Sequence, residues 1–337
     1  MRAWLKATVK ALQKPAFPIL AFPGAALIHK PVKSIICDSA LQAFAIKAIA
    51  DRVPMLAALG LMDMSLEAER FGCPIRLMGN EVPMVARRIV FSRRDARNLA
   101  VPDVMGGRTG VAVGAIGRAA SIVRDRPLLA CCIGPFSLAG RLMGVSELML
   151  ACYDQPDMVQ MIVEKATEFL IEYIRAFRRA GANGILLAEP LTGLLPPVLA
   201  EAFSEPWVRS ICRSVRGEQF LFFYHNCGGS AVAIIQSILA IGADAYHFGN
   251  AVEMERVLQA VPSDTVVMGN LDPVMALLMG SKASVTRDVA TMLERCGGYN
   301  NYIVSTGCDI PSATPWENID ALFAVVAAYY QRRPAAS

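Results

Sequence analysis

The run PDMVQMIVEKATEFLIEYIRAFRRAGANGILLAEP, residues 156–190, decides the fold. Over 156–180 the apolar residues Ile162, Ala166, Phe169, Leu170, Tyr173 and Phe177 recur at spacings of three and four, which lays them on one face of an α-helix. Arg178 and Arg179 suit the negative end of the helix dipole, and Gly181 supplies a stop. The stretch 184–188 that follows is apolar throughout, too short for a helix, and closed by Glu189-Pro190, so it reads as a strand buried on both faces.

Working outward, five more short apolar runs share that character: 128–133, 220–224, 243–248, 265–268 and 302–305. Amphipathic stretches separate them, among them 231–241, which ends at Gly242. Buried strands alternating with helices make a parallel sheet, and the absence of a Gly-x-Gly-x-x-Gly turn favours a closed (β/α)8 barrel over an open doubly wound sheet. A barrel takes about 250 residues. The expected organisation is one α/β domain: an N-terminal helical region over 1–57, the barrel over 58–333, and a tail over 334–337. Within the first region, 1–13 is amphipathic, 15–28 is broken by Pro15, Pro18, Pro23 and Gly24, and 39–59 reads as an Ala-rich helix.

Composition excludes several classes. With 54% hydrophobic and 18% charged residues the chain can bury a large core, and a net charge of +4 is too mild for a dedicated nucleic-acid binder. Every long apolar run is interrupted before it could span a membrane. The basic start followed by 15–28 imitates a signal peptide, but its prolines break the apolar helix and no cleavage site follows, so the expected compartment is the cytoplasm. Nine scattered cysteines agree, being an odd count with no disulfide framework.

Barrel chemistry sits just past the C-terminal strand ends. There the sequence places Glu189, the triplet His225-Asn226-Cys227, Asn250, Asn270 with Asp272, and Cys308 with Asp309. Residues i and i+2 at a strand end can point to one side, so His225 and Cys227 can reach one ion, with Cys308 closing the site and Glu189 the candidate for a fourth position. Zinc is the natural metal for mixed nitrogen and sulfur donors. The bland reading of the same residues is a buried histidine bonded to a carbonyl beside an inert cysteine. Gly228-Gly229 would permit a close backbone approach there.

The segments Tyr224-His225-Asn226-Cys227-Gly228, Gly269-Asn270-Leu271-Asp272-Pro273 and Ser305-Thr306-Gly307-Cys308-Asp309-Ile310-Pro311, with Thr314-Pro315-Trp316-Glu317-Asn318, resemble the uroporphyrinogen decarboxylase superfamily. Within it they are similar to the zinc-dependent methylcobamide:coenzyme M methyltransferases, as are Met62-Asp63-Met64-Ser65 and Glu67-Ala68-Glu69-Arg70-Phe71-Gly72-Cys73. The resemblance runs from about residue 40 to the end. It implies a distorted (β/α)8 barrel and zinc held by His225, Cys227 and Cys308, with Glu189 at or near the fourth position. It also implies a small thiol acceptor and a methylated corrinoid presented by a separate small protein. The Met-Arg-Gln-Ala-Gly-Arg signature of the decarboxylases has no counterpart in 19–30. Transfer to tetrahydrofolate, porphyrinogen decarboxylation and a non-enzymatic binding barrel are the competing readings.

Other candidates carry two readings each. Asp63 orients a ligand or substrate, or caps the next helix. Asn250, Asn270 and Asp272 line a cofactor pocket, or form turns and caps. His247 reads as a satisfied structural histidine. Arginines 87, 88, 93, 94 and 97 around Phe91 dock an acidic corrinoid protein or grip an anionic acceptor, or form a solvated face. The sequence leaves the oligomeric state open, a homodimer included.

Overall fold

The computed structural model describes residues 1–332, so the expected tail lies outside the described residues. Seven parallel strands form one curled sheet in sequence order: β1 (Ala58–Leu59), β2 (Leu128–Ile133), β3 (Gly184–Ala188), β4 (Leu221–Asn226), β5 (Ala245–Phe248), β6 (Val267–Leu271) and β7 (Tyr302–Thr306). The fold is an α/β barrel.

What bridges β7 back to β1 is the proline-broken segment near the N-terminus. Phe17 N–H donates to the Val304 carbonyl at 2.9 Å, and Leu56 N–H donates to the Ala16 carbonyl at 2.9 Å. Ile19 adds a bond from its N–H to Thr306 Oγ1 at 3.1 Å and accepts one from Ile310 N–H at 2.9 Å. Pro15 and Pro18 have no N–H to give, so the donors this stave offers to the last strand are the N–H groups of Phe17 and Ile19. Elsewhere in the first 57 residues lie the helices Arg2–Lys10, Gly24–Leu27, Val32–Ile35 and Ser39–Arg52. Helix Arg2–Lys10 inserts Leu5 and Val9 into the barrel interior from below, with Arg2 Nε paired to Asp244 at 2.8 Å.

Alternation along the strands sorts side chains into two cores. Phe17, Leu59, Leu129, Cys131, Leu186, Ala188, Leu221, Phe223, Ala245, Met268 and Ile303 fill the interior. The residues between them, such as Cys132, Ile185, Leu187, Phe222, Tyr224, Phe248 and Val304, face the surrounding helices. Helix Pro156–Ala180 packs its predicted face there and ends at Gly181 in the left-handed conformation, φ 107°.

Several expected boundaries move. The Ala-rich helix stops at Arg52, before Pro54, and Ala58–Leu59 becomes β1. Strand β4 takes in His225 and Asn226, while β6 starts at Val267 and takes in Gly269 and Asn270. The expected helix over 231–241 shortens to Ile235–Ala240. Among the described residues no helix is long and apolar enough to cross a membrane.

Candidate metal centre

On β4, Leu221 and Phe223 point into the barrel, so the two-residue repeat sends His225 inward as well. The chain then leaves the strand at Cys227, and the turn is pinned by Asn226, whose Oδ1 accepts from Gly228 N–H at 3.0 Å. Gly249 lies against it so closely that a Cβ there would come within 2.5 Å of Cys227 Cα. Cys308 follows β7 on the same rim. The potential ligand atoms of His225, Cys227 and Cys308 all lie within 4.8 Å of one another.

The donor set suits a borderline-soft cation. His225 is 2% exposed and its Nε2 is buried without a hydrogen-bond partner, an unsatisfied state that a buried imidazole rarely keeps. A hydrogen bond between the sulfurs holds the Cys227 thiol down at about 7, and the same bond is the largest cause that pushes Cys308 up to about 12. Two sulfurs joined by a hydrogen bond thus sit beside a buried imidazole nitrogen, a donor set that one nitrogen- and sulfur-seeking ion would satisfy whole.

Glu189 is not brought to these sulfurs. It follows Ala188, which faces the interior, so it falls on the opposite, helix-facing side of the wall. There its carboxylate accepts from Phe136 N–H at 3.1 Å and Ser137 N–H at 2.6 Å, occupying the N-terminus of helix Pro135–Met143. Burial pushes its carboxyl up to about 7 against those bonds. The expectation of Glu189 as fourth ligand is corrected: strand phase, which a doubly buried run conceals, turns it away.

Asp63 is likewise spoken for. Its Oδ1 accepts from Ser65 N–H at 3.0 Å and Ser65 Oγ at 2.6 Å, while Oδ2 pairs with Arg108. Arg108 also reaches Glu69 at 2.6 Å. The expected helix cap falls to Ser65 instead, and Asp63 holds the turn that leads into helix Leu66–Arg70, with a buried ion pair added.

Asn250, Asn270 and Asp272 do come together, beside Cys308 rather than among the ligands. Asn250 Nδ2 donates to Asp272 Oδ2 at 2.8 Å, and a Cβ on Gly307 would meet Asn250 within 2.5 Å. Asp272 Oδ1 accepts from Val274 and Met275 N–H, each at 2.8 Å, and Asn270 Nδ2 donates to the carbonyls of Gly249 and Val252. The three line a cleft of about 350 Å³ shared with Glu255 and Arg295. Their bonds are the turn-and-cap kind.

The arginines near Phe91 do not converge on an anion site. Arg88 pairs with Glu147 at 2.5 Å and lies over the Phe91 ring, 5.0 Å from its centroid, and Arg93 pairs with Asp157 at 3.1 Å. Arg87, Arg94 and Arg97 are exposed, as on a solvated face.

Four residues to which the sequence reading gave no functional role stand out in the structure. Glu67 is buried, with Oε2 unpartnered, and burial pushes its carboxyl up to about 8. Asp309 also buries an unpartnered Oδ1, and burial, then the Cys308 sulfur, raises its carboxyl. His247 and Ser305 share the inward face with His225: the His225 and His247 Nδ1 atoms are 2.8 Å apart, and His247 Nε2 is 2.6 Å from Ser305 Oγ. Only the pairing of His225 with His247 across β4 and β5 reveals this, and register cannot be read from one sequence.

A barrel with a His-Cys-Cys cluster at its C-terminal rim defines a class: α/β-barrel proteins able to hold a thiophilic cation where barrel enzymes do their chemistry. The uroporphyrinogen decarboxylase (URO-D) family pattern matches residues 32–329, and the chain belongs to that family. It is 26% identical over 304 residues to a uroporphyrinogen decarboxylase from Coxiella burnetii, covering 86% of this chain and 80% of that one. It is 25% identical over 265 residues to the methylcobamide:CoM methyltransferase MtbA of Methanosarcina acetivorans, covering 77% and 76%. A methylated-thiol–coenzyme M methyltransferase from Methanosarcina mazei is 26% identical over 274 residues, covering 79% and 70%. Among solved structures, a methyltransferase from Methanosarcina mazei superposes with a TM-score of 0.85 over 98% of both chains at 22% identity, which shows the shared fold. The relatives are enzymes of two kinds, decarboxylases and methyltransferases.

Proposed function

We propose that this protein is a methyltransferase that moves a methyl group from a methylated corrinoid, carried by a separate protein, to a small thiol, using zinc held by His225, Cys227 and Cys308. The reading is carried by one observation, the buried unpartnered Nε2 of His225 gathered with two sulfurs inside 4.8 Å at the barrel rim. Relatives named as methylcobamide:CoM and methylated-thiol methyltransferases support it.

A free thiol has a pKa of about 8.5 and is mostly protonated at neutral pH, although the thiolate is the nucleophile. Bound zinc would supply the missing step by removing that proton and fixing the sulfur in place. The chain's own residues set the conditions. Cys227 and Cys308 bring two negative charges against the ion's two positive ones, so an added thiolate would keep its electron density. His225 is locked from behind, and Cys308 stands at the exposed edge, leaving the solvent side as the approach for a substrate.

The partner surface follows from the same rim. Leu194 and Val198 after β3, and Met275 and Met279 after β6, are 64–75% exposed on or beside short helices at the C-terminal end of the barrel. Large apolar side chains left bare around an active-site mouth suit a docking protein. Incubation with methylcobalamin and a panel of thiols and folates, followed by the cobalamin absorption spectrum, tests the function. Thiol-dependent, zinc-dependent demethylation is expected. Turnover with tetrahydrofolate alone, or undiminished turnover after zinc removal, would overturn it.

A further inference from the structure

Three hydrogen bonds run back from His225 to the barrel wall, and their direction can be worked out from the far end. The Phe17 carbonyl can only accept. Ser305 Oγ lies 2.5 Å from it and therefore spends its proton there. Toward His247 Nε2, at 2.6 Å, the Ser305 oxygen is then the acceptor, so that nitrogen carries the hydrogen. In a neutral ring, His247 Nδ1 is left with its lone pair, and it faces His225 Nδ1 at 2.8 Å. The hydrogen between the two rings thus belongs to His225. The His247 ring is buried, and burial favours a neutral imidazole over a charged one.

The consequence falls on the opposite side of the His225 ring. With the proton on Nδ1, Nε2 is a bare lone pair, and this is the buried nitrogen that finds no hydrogen-bond partner. Which nitrogen of a histidine can bind a metal is set by the bond the other nitrogen makes. A carboxylate or carbonyl usually makes that bond; here a second imidazole does.

We propose that His247 is a positioning residue: anchored through Ser305 to the Phe17 carbonyl, it fixes His225 as the Nδ1–H tautomer and presents Nε2 toward Cys227 and Cys308 before any ion arrives. This rests on the zinc reading above for its purpose, but the tautomer stands on the hydrogen bonds alone. It also gives the proline-broken segment a second duty. The stave that closes the barrel supplies the acceptor that orients the whole chain, so barrel closure and ligand orientation are one structural event.

The chain has only three histidines, at 29, 225 and 247, so imidazole nitrogen spectra of protein labelled with ring-¹⁵N histidine can be assigned by substitution. Metal-free wild type should show Nδ1–H for His225 and Nε2–H for His247. His247→Phe keeps a ring but cannot accept a hydrogen bond; it should release His225 into a mixture of tautomers and weaken zinc binding by about 10–100-fold. His247→Asn, whose side-chain oxygen can still accept beside the ring, should restore most of the affinity. Ser305→Ala cuts the chain further away and should loosen the tautomer without touching either ring. An Nε2–H tautomer at His225 in wild type, or wild-type zinc affinity in a folded His247→Phe protein, would overturn the proposal. Wild type with the expected tautomers that takes up no zinc would overturn the metal reading and leave the tautomer assignment standing.

Discussion

Gly193 and Gly228 meet backbone to backbone: a Cβ built on Gly193 would lie 2.2 Å from Gly228 Cα, and one built on Gly228 would lie 2.1 Å from Gly193 Cα. The contact clamps the loop after β3 to the turn that carries Cys227. Because both sides are main chain, neither can swing away as a flexible side chain would.

Gly228→Ala should therefore push that turn outward. Overpacking of this kind costs about 1–3 kcal/mol, and the displaced Cys227 should bind zinc more weakly. Gly229→Ala is the matched control, since its nearest neighbour would be 3.9 Å away. Thermal melts and zinc titrations of the two variants check this. Equal behaviour of the pair would show that the clamp does not hold the ligand.

Arg108 is 8% exposed and its ion pair with Asp63 is buried, so removing one partner strands the other charge. Arg108→Met should cost about 3–5 kcal/mol in urea unfolding, far more than the same change at exposed Arg94. An unchanged midpoint would mean that Asp63 finds another partner.

Glu67 makes stability depend on pH. Its folded carboxyl is raised to about 8 from 4.5 by burial, so between those values the unfolded chain has released a proton that the folded chain still holds. Stability should fall as pH rises through that window. Glu67→Gln should flatten the slope by up to about 1.4 kcal/mol per pH unit, the effect of one proton. Denaturation series at pH 5, 6, 7 and 8 measure it, and parallel slopes in the two proteins would contradict it.

The alternation of apolar runs and helices made the barrel legible, because burying a parallel strand on both faces demands continuous hydrophobic residues whatever the detail. That same continuity hid the strand phase. Nothing in GILLAE tells which of Ala188 and Glu189 faces inward, so a carboxylate beside the rim looked like a ligand. His225, Cys227 and Cys308 were legible because few side chains bind soft metals, whereas His247 was readable only as satisfied, its partner lying 22 residues away across an unreadable register. The closing segment escaped for another reason. Prolines that rule out a helix say nothing about whether the extended chain they leave will join a sheet.

The zinc content of the untagged protein, measured by elemental analysis beside a folded Cys308→Ala variant, tests the metal centre most directly. A three-ligand site with an open position should hold about one zinc per chain in the wild type and close to none in the variant. Wild type that stays zinc-free after reconstitution, or a variant that retains a full equivalent, would contradict the metal centre.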